Sequence, residues 1–328
     1  MKAVLCRAYG PPEQLEIADV ESPRPGKRQA LVRVHAAGVN FPDTLIIQGK
    51  YQFQPPLPFT PGSDIAGRVT AVGADVDSVH VGDRVMGFTG VGGGAFAEEA
   101  VCDVASLTPI PAGVDFTTAA AAGLTYNTSY YALKDRAHLQ PGETLLVLGA
   151  AGGVGLAAVE LAHAMGARVI AAASSDEKLA ICRQFGADDT INYTTENLRD
   201  CLKALTNGNG VDVVYDPVGG PYAEPAVRGL AWDGRYLVVG FTAGDIPRIP
   251  LNLPLLKGSS IVGVFWGSFV AREPERHQQN QRQLASWLAD GTIKPRISAT
   301  YLLTDVAHAL DDILQRKAIG KVVLLPSA

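Results

Sequence analysis

Three evenly spaced glycines are the clearest candidates for chemistry in this sequence. Gly149, Gly152 and Gly155 lie in LLVLGAAGGVGLAAVELAHAMG, between an apolar run typical of a strand and an amphipathic run typical of a helix, and a second apolar run, RVIAAA, follows. Glycines let backbone N–H groups approach a pyrophosphate, and the first turn of a helix adds partial positive charge. The spacing and its setting therefore predict a dinucleotide-binding turn.

The end of the second strand indicates which dinucleotide binds. NAD sites usually place an acid there to bind the ribose 2′-OH, but this strand ends in AAASSDEK. Ser174 and Ser175 leave room for a 2′-phosphate, and Lys178 can supply the opposite charge. Asp176 or Glu177 could act as the missing acid, although both fit the first turn of the next helix better. The segment therefore predicts NADPH rather than NADH.

A second candidate is Asp64, in the segment PGSDIAG, which a valine-rich run follows. This carboxylate could be catalytic, could bind a metal, or could accept hydrogen bonds from the backbone of its own turn. The six histidines and four cysteines of the chain fall in no metal-ligand spacing. The choice among the three roles depends on the rest of the chain.

The elements that must position these residues change character along the chain. Roughly the first third has short strands punctuated by Pro and Gly, with one helix near 41–48 and another that Asp115 could cap. A further helix is predicted from Leu124. From Thr144 onward, buried-type strands alternate with helices, which predicts a parallel sheet in an α/β fold. Helices near 274–289 and 306–315 and a closing strand, KVVLL, complete the prediction.

Composition excludes several classes of protein. The 328 residues are 47% hydrophobic and 19% charged, which suits about two globular domains. A net charge of −5 gives no general attraction to nucleic acid or to anionic membranes. No apolar run approaches the roughly 20 residues that span a bilayer, and MKAVLCRAYG is predicted to be a strand rather than a signal peptide. With unpaired cysteine spacing, a cytoplasmic protein with reduced thiols is expected.

Five motifs together resemble the medium-chain dehydrogenase/reductase superfamily, and more closely its quinone oxidoreductase (zeta-crystallin-like) branch. They are AAGVNFPDTLIIQGKY, PFTPGSDIAGRVTAVG, VGDRV, GAAGGVG and GKVVLL. The resemblance implies a GroES-like β-rich catalytic domain from residues 1–123 and 268–328, and a Rossmann domain with a doubly wound parallel sheet from residues 124–267. It also implies a homodimer in which IVGVFWGSF extends the sheet across the subunit boundary.

The resemblance also bears on metal binding. Zinc alcohol dehydrogenases of this superfamily carry a His and a Glu in the Pro-Gly turn and a Cys before the strand-to-helix corner. This chain has Ser63 and Asp64 in the turn and Gly38, Val39 and Asn40 at the corner. We therefore expect no metal site, and we expect Asp64 to be a turn carboxylate that holds backbone N–H groups.

Without a metal, reduction requires substrates that delocalise the developing negative charge themselves. Quinones and α,β-unsaturated carbonyls do so, and they are the predicted hydride acceptors, with NADPH as the cofactor. Two alternatives stay open on the same scaffold: an enoyl-CoA-type reductase, for which Arg272 and Arg276 are too few to decide, and a non-enzymatic NADPH- or RNA-binding protein. The acidic net charge argues against nucleic acid as a main partner.

Two residues are expected at the reacting centre. Asn40 is expected to bond the nicotinamide ribose or the substrate oxygen, and Tyr51 to contact cofactor or substrate. Alternatively, Asn40 caps a helix and Tyr51 packs in the core. Asp43 also matches the family motif, but a first-turn helix acid explains it equally well. The residues predicted to contact the cofactor are Asn40, Ala151, Gly152, Gly153, Val154, Ser174, Lys178, Tyr193, Gly240, Phe241, Thr242, Phe265, Trp266 and Lys321.

Several of those cofactor contacts have structural alternatives. Tyr193 could be a half-buried strand residue, and Lys321 could be an exposed surface lysine. Phe265 and Trp266 would more often be core or subunit contacts.

Overall fold

A computed structural model describes residues 1–90 and 93–326 of the chain. The chain divides into two compact units, residues 1–125 with 281–328, and residues 126–280. We call them unit 1 and unit 2. The domain limits predicted from the sequence, after residues 123 and 267, stay a prediction. No helix within the described ranges is long and apolar enough to cross a membrane.

The secondary-structure elements follow in chain order. The first part of unit 1 contains β1 (Lys2–Leu5), β2 (Glu16–Asp19), β3 (Gln29–Val39), α1 (Phe41–Ile46), β4 (Asp64–Val72), β5 (Arg84–Phe88), β6 (Glu99–Asp103), β7 (Leu107–Pro109) and α2 (Phe116–Ala121). Helix α3 (Leu124–Tyr130) follows, and unit 2 then contains β8 (Thr144–Leu148), α4 (Gly153–Ala164), β9 (Arg168–Ala173), α5 (Asp176–Gln184), β10 (Asp189–Asn192), α6 (Leu198–Leu205), β11 (Val211–Asp216), α7 (Ala223–Arg228), β12 (Leu230–Val238), α8 (Asn252–Lys257), β13 (Ser260–Gly263) and α9 (Trp266–Arg272). The chain ends with α10 (Pro274–Asp290), β14 (Ile297–Leu302), α11 (Val306–Leu314) and β15 (Lys321–Leu325).

Unit 1 is built on a seven-stranded sheet with the order β14-β15-β3-β4-β5-β7, and β6 also pairs with β3. All of its pairs are antiparallel except β14 with β15. Apolar residues alternate along β3, QALVRVHAAGV, so that one face of the strand packs into the core of this unit. The prediction of a β-rich first domain is confirmed.

Unit 2 contains a six-stranded parallel sheet with the order β10-β9-β8-β11-β12-β13. Strand β8 is buried along most of its length, and Leu145 to Leu148 are fully inaccessible. Such continuous apolar strands are stable only where both faces are covered. The strand order reverses between β8 and β11, which is the place where doubly wound sheets bind ligands. The prediction of an α/β fold with a doubly wound parallel sheet is confirmed.

The helix predictions agree with the structure to within two residues. Helix α1 ends at Ile46 rather than residue 48, α10 runs to Asp290, and α11 ends at Leu314. Asp115 caps α2 as predicted, because its carboxylate accepts the Thr118 N–H at 2.8 Å.

Candidate active site

The glycine-rich turn connects β8 to the twelve-residue helix α4. Gly149 adopts a left-handed φ of 58°, and a Cβ at Gly155 would lie 2.3 Å from the Gly149 carbonyl oxygen. Only glycine therefore fits at residue 155. A Cβ at Gly152 would meet only that carbonyl, at 3.4 Å, so the start of α4 presents bare backbone. The turn fits a pyrophosphate group, because uncovered N–H groups and the positive end of the helix dipole lie together.

The polar side chains that follow β9 have different hydrogen-bond partners. Ser175 caps α5 by accepting the Lys178 N–H at 3.4 Å, while the Lys178 Nζ lies 3.3 Å from the Ser174 Oγ. The Asp176 carboxylate accepts a hydrogen bond from the Asn192 side chain at 2.8 Å. Asp176 is therefore committed to a neighbouring strand end, and Ser174 and Lys178 form a short polar pair at the strand tip. This arrangement suits a 2′-phosphate better than a ribose hydroxyl.

The carboxyl ends of the central strands of unit 2 meet at one edge of its sheet. The Gly240 N–H and the Thr242 N–H bond to the Asp216 and Pro217 carbonyls, at 3.3 and 3.1 Å, so the segment after β12 lies against the segment after β11. Tyr193 and Tyr222 have ring centroids 4.3 Å apart beside a 630 Å³ cavity. The predicted contacts Gly240, Phe241, Thr242 and Tyr193 therefore belong to loops that follow strands of this sheet.

Phe265 and Trp266 have different surroundings. Phe265, which precedes α9, is 58% exposed, whereas Trp266 is buried with its ring 5.5 Å from that of His277. Trp266 thus packs in the core of unit 2, as the alternative interpretation of the sequence had it. Burial lowers the pKa of His277 to about 4, so this histidine is neutral within the aromatic cluster.

Strand register brings three predicted residues of unit 1 together. In the antiparallel pairing of β15 with β3, Val322 is opposite Val39, so Lys321 comes next to Asn40. In the pairing of β3 with β4, Gly38 is opposite Asp64. Asn40, Asp64 and Lys321 therefore meet at the end of three adjacent strands, although Asn40 and Lys321 are 281 residues apart in sequence.

Both N–H groups of the Asn40 side chain donate hydrogen bonds within unit 1. Its Nδ2 donates to the Asp64 Oδ2 at 2.9 Å and to the Gly38 carbonyl at 3.3 Å, while its Oδ1 accepts from the Lys321 Nζ at 2.6 Å. One lone pair of Oδ1 remains. In this arrangement Asn40 can accept a hydrogen bond from a ribose hydroxyl, but it has no N–H left for a substrate oxyanion.

Asp64 is not a turn residue, and that part of the prediction is wrong. It is the first residue of β4, and its carboxylate accepts the Leu124 N–H at 3.0 Å from each oxygen. The expectation that it holds backbone N–H groups is confirmed. The sequence did not reveal the Asn40 hydrogen bond or the Lys321 ammonium, whose Nζ lies 3.8 Å from the Asp64 Oδ2.

Lys321 is a buried cation rather than a surface lysine. It is 3% exposed, and its Nζ donates to the Val39 carbonyl at 3.0 Å as well as to Asn40. Burial lowers the pKa of the Lys321 ammonium, against the opposing influence of the Asp64 and Asp43 charges. The corner between β3 and α1 is therefore occupied by the buried Lys321 amine, held by these two acceptors.

Asp43 is more than a first-turn helix acid. Its Oδ2 accepts the Asn40 backbone N–H at 2.7 Å, and the side chain is buried inside unit 1. Burial raises the pKa of Asp43 to about 7, and the Asp64 charge acts in the same direction. The spacing Asn40-x-x-Asp43 signals a helix start in the sequence, but the burial of the acid depends on the elements that cover it.

Tyr51 lies five residues beyond the end of α1 and packs against the core of unit 1. Burial raises the pKa of its phenol, and the charge of Asp43 adds to the effect. Within residues 1–90 and 93–326, no group forms a hydrogen bond with this hydroxyl. Tyr51 therefore has an uncommitted O–H donor, unlike Asn40.

No three His, Cys, Asp or Glu side chains gather as a metal site in the described part of the chain. Ser63 and Asp64 are both buried, and the Asp64 carboxylate is used by the network around Asn40. The absence of a bound metal in the protein stays a prediction.

Most of the chain matches two known protein families. Residues 26–112 match the family described as "Alcohol dehydrogenase GroES-like domain", and residues 153–287 match "Zinc-binding dehydrogenase". The chain is 44% identical to "Quinone oxidoreductase-like protein 2 homolog" of Nematostella vectensis, over 98% of this chain and 88% of that protein. It is 36% identical to human "Quinone oxidoreductase", over 99% of this chain and 98% of that protein.

Solved structures give the same result. The crystal structure of Escherichia coli quinone oxidoreductase complexed with NADPH has a TM-score of 0.93 and 30% identity, covering 99% of this chain and all of that one. A mycobacterial protein complexed with NADPH has a TM-score of 0.93 and 32% identity at the same coverage.

Proposed function

Because the chain belongs to the quinone oxidoreductase family of the medium-chain dehydrogenase/reductase superfamily, we propose that it transfers hydride from NADPH to quinones or α,β-unsaturated carbonyls without a metal. The observation that carries the proposal is the closed network around Asn40. Its only cation is Lys321, and no cluster of metal ligands forms in the described chain. A developing alkoxide would therefore lack Lewis-acid stabilisation, whereas a conjugated acceptor spreads the charge itself.

Several residues of the described chain are proposed to hold the cofactor. Bound NADPH supplies the hydride. The bare backbone at the start of α4, from Ala151 to Val154, would bind the pyrophosphate, while Ser174 and Lys178 would bind the 2′-phosphate. Asn40 would accept a ribose hydroxyl with its remaining lone pair. Tyr193, the segment from Gly240 to Thr242, Phe265 and Lys321 stay proposed contacts.

Tyr51 is the proposed donor to the oxygen that gains charge. Its O–H has no partner among the described residues, and its partial burial strengthens a hydrogen bond to an oxyanion. Donors of this kind, placed where charge develops, are worth about 2.7–4 kcal/mol, or about two to three decades in rate. Asn40 is excluded from this role while both of its N–H groups remain bonded to Asp64 and Gly38.

We also propose a homodimer formed through β13. This strand pairs with β12 on one side only and is therefore an edge strand of the described sheet. Ile261 and Phe265 expose apolar surface along that edge, and Trp232 is 78% exposed on the neighbouring strand. An exposed edge strand with apolar side chains is a common dimerisation surface.

The test is a steady-state panel of quinones, enones, unsaturated thioesters and saturated carbonyls with excess NADPH, before and after prolonged chelation. We expect turnover of the conjugated acceptors, unaffected by chelation, and saturated carbonyls slower by several decades. Brisk reduction of a saturated aldehyde by protein without zinc, or loss of activity on removing stoichiometric zinc, would overturn the proposal. Preference for thioesters would favour the enoyl-CoA alternative, for which Arg276 is a poor anchor because it binds Asp135 at 2.9 Å.

A matched pair of variants tests the role of Tyr51. Tyr51→Phe should slow quinone reduction by two to three decades and leave the NADPH dissociation constant nearly unchanged. Tyr9→Phe is the control, since Tyr9 also lies in unit 1 and its hydroxyl donates to the Pro55 carbonyl at 2.6 Å. Equal rates for the two variants would remove Tyr51 from the mechanism. Labelled RNA at moderate salt tests the non-enzymatic alternative, for which the net charge of −5 predicts no binding.

A further inference from the structure

The glycine-rich turn has no polar side chain that could fix its position. Residues 149–155 read GAAGGVG, so neither the turn nor the first residues of α4 contribute a polar side-chain atom. Gly152 stands at the N-cap of α4, where a Ser, Thr, Asp or Asn would accept a backbone N–H. Glycine also leaves the backbone free to adopt other conformations. Side-chain hydrogen bonds that fix this turn must therefore come from other elements.

One such hydrogen bond comes from Ser129, on α3. Its Oγ lies 2.9 Å from the carbonyl oxygen of Val154, in the first turn of α4, and also 2.9 Å from the phenolic oxygen of Tyr215. A serine hydroxyl has a single hydrogen, and a carbonyl oxygen can only accept. Ser129 therefore donates to the Val154 carbonyl, and the Tyr215 O–H donates to the Ser129 Oγ.

Both hydroxyl groups lie inside unit 2. Ser129 and Tyr215 are 0% exposed, and Tyr215 is paired with Val147 of β8, the strand that leads into the turn. Burial raises the pKa of the Tyr215 phenol, so the phenol keeps its proton near neutral pH and remains a donor. The hydrogen bonds from Tyr215 through Ser129 to Val154 therefore support the turn from within the core, where neither side chain has surface that a cofactor could contact.

A second hydrogen bond joins the same two helices. The Tyr126 O–H donates to the Glu160 Oε2, further along α4, at 2.5 Å, and both side chains are buried. Tyr126 and Ser129 are three residues apart, so they lie on one face of α3. Helix α3 is thus bonded to α4 at two points, one of which is the first turn that follows the glycines.

We propose that Ser129 and Tyr215 are positioning residues that hold the glycine-rich turn in the geometry that binds the cofactor pyrophosphate. The inference rests on the proposed function, in which backbone N–H groups at the start of α4 bind this group. Those N–H groups point at the ligand while the first turn of α4 keeps its place, and the Ser129 hydrogen bond to the Val154 carbonyl fixes that turn. A site that is already ordered spends less binding free energy on ordering itself.

Tyr215→Phe is the first test, because it removes the phenolic O–H and keeps the buried ring, and Ser129→Ala is the second. The dissociation constants for NADPH and NADH should rise together by about five- to tenfold, the size of one net hydrogen bond. The kcat at saturating NADPH should stay within about twofold of the parent value, because neither residue touches the reacting atoms. Ser129→Ala combined with Tyr215→Phe should bind NADPH no more weakly than Ser129→Ala alone, since both act on one path.

Two fragments of the cofactor locate the loss of affinity. The fragment 2′-phospho-ADP-ribose contains the pyrophosphate, whereas adenosine 2′-monophosphate lacks it. Titration calorimetry should show the loss of about five- to tenfold for the first fragment in both variants, and a change below about twofold for the second. A residue that acts on the stability of the fold alone would not separate the two fragments.

Thr206→Val is the matched control, because Thr206 is also buried in unit 2 and its Oγ1 donates to a helix carbonyl, that of Leu202, at 2.7 Å. It should lower the urea unfolding midpoint, as we expect for both test variants, and keep the parent affinity for NADPH. Unchanged NADPH affinity in Tyr215→Phe, equal losses for the two fragments, or the same loss in Thr206→Val would overturn the inference. If Ser129→Ala does not fold, Tyr215→Phe alone decides the outcome. If the parent binds no NADPH, the proposed function fails instead.

Discussion

Lys321→Met should show how strongly the network around Asn40 depends on its single cation. The substitution keeps an unbranched side chain but removes the ammonium, which makes hydrogen bonds of 2.6 Å to the Asn40 Oδ1 and 3.0 Å to the Val39 carbonyl. It also leaves the Asp64 carboxylate buried without its partner. Removing one member of a buried ion pair costs about 3–5 kcal/mol, and the two lost charge-assisted hydrogen bonds, at about 1.5–3 kcal/mol each, give a similar total.

The loss should depend on pH with a definite sign. Lys321 lowers the pKa of Asp64, so its removal raises that pKa further above the value in the unfolded chain. A folded protein with the raised Asp64 pKa binds a proton that the unfolded chain does not, so the variant gains stability as pH falls toward the unfolded value of about 3.9. The deficit relative to the parent should therefore be larger at pH 7.5 than at pH 5.5, by up to about 1.4 kcal/mol per pH unit.

Tryptophan fluorescence during urea unfolding can follow unit 1 alone. Trp287 is the tryptophan of unit 1, and Trp232 and Trp266, which belong to unit 2, are changed to Phe in every protein compared. Lys317→Met, at an exposed position near the same end of the chain, should change the free energy of unfolding by less than about 0.5 kcal/mol. Lys321→Met combined with Asp64→Asn should recover at least about 1 kcal/mol at pH 7.5, since the Asp64 carboxylate that lost its ammonium partner is then removed as well. A deficit below about 1 kcal/mol, or one equal at both pH values, would refute the reasoning.

Three further outcomes can be checked on the same protein. Lys178→Ala should weaken NADPH binding by about 1.5–3 kcal/mol, or one to two decades in the dissociation constant, and leave NADH binding unchanged. An equal loss of affinity for both cofactors would contradict the proposed 2′-phosphate contact. Gly155→Ala should destabilise the fold by about 1–3 kcal/mol, because its Cβ would lie 2.3 Å from a carbonyl oxygen. Gly152→Ala should fold normally and bind NADPH about tenfold more weakly. The parent should sediment as a dimer at micromolar concentration and Ile261→Glu as a monomer; a monomeric parent would rule out the β13 interface.

Local chemistry was enough to predict the fold class and the glycine-rich turn. Alternating apolar residues specify a half-buried strand, and continuous apolar strands separated by helices specify a parallel sheet. The β-rich and the α/β character of the two parts could therefore be predicted from pattern alone. The turn is equally local, because Gly149, Gly152 and Gly155 meet the start of one helix within seven residues. Ser174 and Lys178 lie within five residues at a strand tip, so their pairing was also predictable.

The environments of the polar side chains around Asn40 could be learned only from the tertiary structure. Asp43 and Lys321 carry the same side chains whether they are exposed or buried. The sequence left both undecided, because a first-turn helix acid explained Asp43 as well as the family's site did and a surface lysine was an alternative for Lys321. Their burial follows from the packing of strands and helices distant in the chain, which also raises the pKa of Asp43 and lowers that of Lys321. The sequence pattern cannot predict these pKa shifts, because desolvation is a property of the assembled core.

Sequence alone determined that Asn40 stands at a strand-to-helix corner and that Asp64 follows a Pro-Gly turn. Only the tertiary structure decided that Asn40 has no donor left for a substrate and that Asp64 neutralises a buried lysine. The physical reason is strand register: β15 and β4 pair on either side of β3, and this pairing places residues 24 and 281 positions from Asn40 within hydrogen-bond reach of its amide.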